Sequence, residues 1–169
     1  PAVAAWLAGD AGGAPDPQDP GFARNTVQVI ASARLSLEAA AARGVDVRLV
    51  LPGSSDSALV FNAGRSYYEQ LLRGGVTIFE RRDALMHSKT AVIDGVWSTV
   101  GSTNLDWRSF LHNQEVNAVV LGTEFGDQMR AAFESDVAQS EQITLEQWQR
   151  RPYVMRAKER FARLWQYWL

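Results

Sequence analysis

The strongest constraint on the fold lies in residues 86–104. They read Met86-His87-Ser88-Lys89-Thr90-Ala91-Val92-Ile93-Asp94-Gly95-Val96-Trp97-Ser98-Thr99-Val100-Gly101-Ser102-Thr103-Asn104. Two short apolar runs meet at Asp94-Gly95, and Asp-Gly between alternating apolar residues is a strong hairpin signal. His87 and Lys89 are two apart, so strand alternation points both side chains to one face. At the far end of the second run, Gly101-Ser102 allows a tight turn, and Asn104 follows it. The hairpin thus brings an imidazole, an ammonium and a carboxamide to one place. Lys89 and Asn104 are donors suited to phosphate oxygens. His87 can attack phosphorus or move protons near neutral pH. With no Cys and only two His in the chain, a dense His/Cys metal site is not on offer. The trio points to phosphoryl chemistry with no metal and no cofactor.

The flanking segments place this hairpin in an α/β domain. Thr26–Ile30 alternates as a strand, 34–43 is Ala- and Leu-rich and helical, and Gly44 stops it. Val45–Leu51 reads as a strand, 56–73 as one helix, and Val76–Phe79 as a strand. This order implies a mixed, largely parallel β-sheet flanked by helices. Arg81, Arg82 and Asp83 read as a solvated turn, with help in holding an anion as the alternative. After the hairpin come a partly buried aromatic loop at 106–110, a loop imidazole at His112, and a strand at 113–121. Asn113 and Glu115 share one face of that strand. Residues 124–139 form an amphipathic helix, and 144–151 a short polar one ended before Pro152. In the tail, Phe161, Leu164, Trp165, Trp168 and Leu169 form a stripe opposite Arg156, Lys158, Glu159, Arg160 and Arg163. That stripe is expected to pack on its own domain or on a partner, with a membrane-interface position as the alternative.

At 169 residues the chain is long enough for one domain with a real core. Residues 1–25, rich in Ala, Gly, Pro and Asp, read as a linker or ill-ordered lead-in, leaving 26–169 as the domain. The net charge of −2 argues against a duplex nucleic-acid partner, which calls for a basic face. No apolar run is long enough to span a bilayer. The first residue is Pro, from which the chain is expected to be a piece of a longer protein.

The His-x-Lys-x4-Asp-x6-Gly-Ser-x-Asn pattern resembles the signature of the phospholipase D superfamily. With Gly44-Val45-Asp46-Val47-Arg48, Asn104–Phe110 and Glu115, it resembles the C-terminal catalytic half of bacterial cardiolipin synthases over residues 44–169. The resemblance implies phosphodiester exchange between phospholipids through a phospho-histidine, with phosphatidylglycerol as substrate. It implies His87 as nucleophile or acid, Lys89 and Asn104 on the phosphate oxygens, and Glu115 orienting a histidine. Ser102 and Asn113 are expected to touch substrate, while Asp94 and Gly101 serve the turns. One signature supplies one histidine, and in-line exchange needs two groups. A second half is therefore expected, in cis from a missing N-terminal half or in trans from a homodimer. The expected location is peripheral, at the bacterial cytoplasmic membrane. A homodimeric single-signature phosphodiesterase or nuclease, or an inactive lipid-binding fragment, are the alternatives.

Overall fold

The computed structural model describes residues 35–84, 86–104 and 113–165. The lead-in at 1–25, the strand expected at 26–30, the loop at 106–110, His112, Trp168 and Leu169 lie outside the described residues.

A first helix, α1, occupies residues 35–42. It is ended by Gly44, whose φ of +88° is open to glycine and costly for other residues. Strand β1 (Arg48–Pro52), helices α2 (Ala58–Arg65) and α3 (Tyr68–Arg73) and strand β2 (Thr77–Arg81) follow. The single helix expected over 56–73 is thus two. Ser57 starts α2 by accepting from the Val60 N–H. Ser66 ends it, its hydroxyl donating back to the Ala63 carbonyl at 2.7 Å in competition with the helical ladder. Beyond β2 run strands β3 (Lys89–Ile93), β4 (Trp97–Gly101) and β5 (Asn117–Leu121), then helix α4 (Thr123–Ala138). Last come strand β6 (Glu141–Ile143) and helices α5 (Leu145–Gln149) and α6 (Tyr153–Leu164). A reciprocal Thr144/Gln147 capping box starts α5.

The strands form two three-stranded sheets, ordered β1-β2-β6 and β3-β4-β5. The fold is mixed α/β with flanking helices, as expected. Parallel pairing is carried by β1–β2, with Leu49 opposite Ile78. The pairings of β2–β6, β3–β4 and β4–β5 are antiparallel.

The core sits on one face of the first sheet. Ile78 and Glu80 alternate inward from β2 and are fully buried. Tyr68 and Leu71 from α3, Val76, Ile143 and Trp148 close around Ile78, with Leu37 and Ala41 of α1 at the margin. The opposite face of the same sheet carries Phe79, and Arg48 lies between the rings of Phe79 and Phe133, 5.5 and 5.2 Å from their centroids. Phe133 belongs to α4, which is tied down by Arg48–Glu134 and Arg81–Asp136 ion pairs. Helices therefore cover both faces of the first sheet.

Arg81 ends β2 rather than opening a turn, while Arg82 and Asp83 lie exposed just beyond it. Arg81 pairs with Asp136 and Asp83, and Arg82 pairs with buried Glu80 and with Glu141. Their charges are used inside the fold.

Candidate functional site

The hairpin forms at Asp94-Gly95, with Val96 as a third residue between the paired Ile93 and Trp97. Asp94 and Gly95 have φ of 53° and 65°. Positive φ at both central positions makes this the mirror-image turn that matches strand twist. Helix α4 pins the turn from above. A Cβ on Gly126 would collide with the Gly95 carbonyl, and one on Gly95 would meet the Arg130 guanidinium. Five strand residues at about 3.3 Å each put Asp94 roughly 17 Å from Lys89. The Asp94 carboxylate therefore sits at the turn end of the hairpin, away from His87.

The other end of the sheet gathers the polar residues. The register aligns Lys89 with Gly101 and Gly101 with Asn117, so Lys89 and Asn117 flank a position with no side chain. A Cβ at Gly101 would strike the Asn117 carboxamide, whose Cγ lies 2.6 Å from that point. Glycine here makes room for Asn117. The carboxamide of Asn117 donates to the Thr103 hydroxyl at 2.7 Å. Ser102 is held on both sides by Val116, donating its N–H to the carbonyl at 3.0 Å and accepting the Val116 N–H on its hydroxyl at 3.0 Å. The β4–β5 connection is thus tied back at the point where Asn104 emerges, half-buried.

His87 lies two residues ahead of β3 and is exposed. Its carbonyl accepts from the Lys89 ammonium at 2.8 Å. That bond uses one of three ammonium protons and leaves two for another acceptor. Asn113 donates to the Glu115 carboxylate at 3.3 Å, ahead of β5, so these two residues meet as their spacing implied. His87, Lys89, Ser102, Asn104, Asn113 and Glu115 all fall at this end of the sheet, with Gly101 at its centre and Asp94 apart from them.

Two residues of this end, Thr103 and Asn117, escaped sequence reasoning. Their signal was present: Asn113, Glu115 and Asn117 share one parity, and an Asn opposite a strand glycine marks a side chain filling the gap. Among the described residues, no three His, Cys, Asp or Glu side chains converge as a metal site would need.

One family model matches residues 26–137, that of the cardiolipin synthase, PLD-like domain. It takes in the whole hairpin and both polar segments beside it. The chain belongs to this family. Among the cardiolipin synthase relatives, the chain is 39% identical over 127 residues to cardiolipin synthase A of Proteus mirabilis, covering 75% of this chain and 26% of that protein. It is 40% identical over 129 residues to the cardiolipin synthase of Geobacillus kaustophilus, covering 76% and 26% respectively. The chain thus spans about a quarter of the length of the curated cardiolipin synthases it matches. In fold it is similar to the crystal structure of Nuc, a phospholipase D family member from Salmonella typhimurium. The TM-score is 0.54 at 20% identity, covering 66% of this chain and 72% of Nuc.

Proposed function

We propose that this chain is one half of a phosphatidyltransferase of the cardiolipin synthase type, acting on phosphatidylglycerol. The observation that carries the reading is the Lys89–Gly101–Asn117 register. Within a cardiolipin synthase family domain, this register supports the reading by setting Lys89, two residues past exposed His87, at the sheet end that also carries Asn117.

In the proposed reaction, His87 and the histidine of a second half flank phosphorus. A ring nitrogen of one attacks the phosphorus of a first phosphatidylglycerol. The bond from phosphorus to the headgroup glycerol oxygen breaks, and the other imidazolium protonates that oxygen. A hydroxyl of a second phosphatidylglycerol then attacks the phospho-histidine and gives its proton back to the second imidazole. The phosphorus–nitrogen bond breaks and cardiolipin leaves. Lys89 and Asn104 hold the nonbridging oxygens, on which charge builds in the transition state. Glu115, steadied by Asn113, orients a histidine. Ser102 adds a hydroxyl at the rim, and Gly101 and Asp94 keep the hairpin in register.

An open apolar face supports the reading of a second half. By strand parity, Lys89 shares its sheet face with Ala91, Ile93, Val119 and Leu121, all exposed. This apolar surface begins at the site and runs away from it, as a seat for a second phospholipase D-like half would. The same reading puts the enzyme peripherally at a bacterial cytoplasmic membrane. Among the described residues, no helix is long and apolar enough to cross one.

The test uses the full-length parent protein and labelled phosphatidylglycerol. Cardiolipin and free glycerol are the expected products. His87→Ala is expected to lower transfer about a thousandfold or more, and Lys89→Met about a hundred- to a thousandfold. Transfer that survives His87→Ala, or cleavage of nucleic acid in place of lipid exchange, overturns the reading.

A further inference from the structure

The C-terminal stripe turns away from the domain. Helix α6 packs on α2, and the residues it buries are Glu159 and Ala162. Glu159 is held there by Arg151, whose guanidinium nitrogens reach its Oε2 at 2.8 and 3.1 Å. Arg151 in turn stacks on the core ring of Trp148 at 4.4 Å. The polar side of the amphipathic helix is therefore its inner side.

At about 100° per residue, Tyr153, Leu164, Ala157, Phe161, Val154 and Trp165 occupy one arc of about 120°. The centre of that arc lies diametrically opposite Glu159, with Ala162 about 60° from that opposite point. Tyr153 is 85% exposed, Leu164 79% and Phe161 58%, against 1% for Ala162. Charge borders the arc. Lys158 stands on one edge and Arg160 on the other, and neither has an ion-pair partner among the described residues. Arg156 and Arg163 lie beyond Arg160, stacked on Tyr153 and Tyr67. Glu159 is the one acid from Tyr153 to Leu164, and Arg151 neutralises it. This strip is basic on a chain whose net charge is −2.

We propose that α6 is a docking surface for an anionic lipid bilayer, lying flat with Leu164, Phe161 and Trp165 in the interface and Lys158 and Arg160 on lipid phosphates. A partner protein would bury the apolar arc equally well, but it gives no reason for unpaired cations along both edges. An anionic headgroup layer does: the acyl boundary takes the arc and the phosphates take both edges. The aromatic content suits the same depth, since Trp and Tyr rings are apolar bodies with polar tips. The inference needs neither the second half nor His87, so it stands apart from the transfer chemistry.

Flotation of the full chain with vesicles decides it. With equal parts phosphatidylglycerol and phosphatidylcholine, the chain is expected to float at low salt and to be released as salt rises. With phosphatidylcholine alone, it is expected to stay at the bottom. Phe161→Ser with Leu164→Ser, both exposed, is expected to leave the circular dichroism spectrum unchanged and to weaken flotation by about tenfold or more per residue. Lys158→Gln and Arg160→Gln are expected to weaken it about fivefold each. His87→Ala is expected to float like the unsubstituted chain, and transfer by the full-length protein in detergent micelles is expected to survive the Ser pair. Those two arms separate failure of the docking surface from failure of the transfer reading. Flotation that ignores the Ser pair, or a Ser pair that changes the chain's sedimentation mass and leaves flotation intact, overturns the proposal.

Discussion

The two sheets are built from the same number of strands and end in opposite conditions. In β1-β2-β6, helices lie on both faces, and Ile78 and Glu80 are sealed from solvent. In β3-β4-β5, Ser98 is fully buried on one face while Ile93, Val119 and Leu121 remain open on the other. Both sheets carry comparable apolar residues, so hydrophobicity alone does not separate them. The difference is in what their polar residues do. The first sheet consumes its charges internally, Glu80 with Arg65 and Arg82, and Arg81 with Asp136. The second leaves Lys89 with protons to spare and His87 exposed. One sheet is a foundation, and the other keeps an open apolar face and an exposed polar end.

Truncations offer the strongest test of that division. Trp148→Ala removes a buried ring that packs 4.8 Å from Tyr68 and carries Arg65 and Arg151 on its faces. It is expected to cost about 3–5 kcal/mol in denaturant unfolding. Leu121→Ala, on the open face, is expected to stay within about 0.5 kcal/mol in the isolated chain. Equal costs would mean that the open face is already covered, and the comparison fails. Glu80→Gln probes the buried charges. Arg65 approaches Glu80 at 3.5 Å and Arg82 at 3.1 Å, so loss of the charge is expected to cost about 1–3 kcal/mol. A neutral or stabilising result would show that the pairs are not worth their desolvation.

The hairpin was legible because its determinants are local. Asp94-Gly95 selects the turn, and Val96, left over before the Ile93–Trp97 pair, shifts the register by one residue so that Lys89 lies beside Gly101. Other features were decided by partners distant in sequence. Strand β6 is three residues, Glu141-Gln142-Ile143, too short to alternate visibly; it exists because Ile143 pairs with Ile78. The break at Ser66 hangs on one hydroxyl turning back on its own helix. Most telling is α6. Its periodicity announced an apolar stripe, but periodicity does not say which way a stripe faces. The pairing of Glu159 with Arg151 draws the polar side inward, so of the expected seats, its own domain or a partner, its own domain does not take the stripe.

Smaller effects come from pH. Burial holds the Tyr68 hydroxyl neutral well above the usual tyrosine range, and the neighbouring Glu80 carboxylate adds to this. Below the ordinary tyrosine value near 10 both folded and unfolded chains keep the proton, and the folded chain has no penalty. Above it the unfolded chain ionises and the buried ring does not, so stability falls by about 1.4 kcal/mol per pH unit from this group. Tyr68→Phe is expected to remove that share of the alkaline loss in unfolding curves at pH 9 and 11. An unchanged slope would show that the Tyr68 ring reaches solvent and that the foundation is looser than its packing implies.

The smallest expected effect concerns the helix the two sheets share. The Arg48 guanidinium, paired with Glu134 of α4, holds that carboxyl below the usual carboxylate value. A lowered folded value stabilises above the unfolded one and is lost as pH falls through the folded value. Arg48→Ala is therefore expected to be slightly less stable than the parent at pH 7 and level with it once the Glu134 carboxyl is protonated. Glu134 is exposed, so salt should shrink the gap at pH 7. Should the gap persist at pH 2 and in high salt, it belongs to the packing of Arg48 between Phe79 and Phe133. The clamp on α4 would then be aromatic rather than ionic, and the first sheet would hold the shared helix in the same apolar way that it holds its own core.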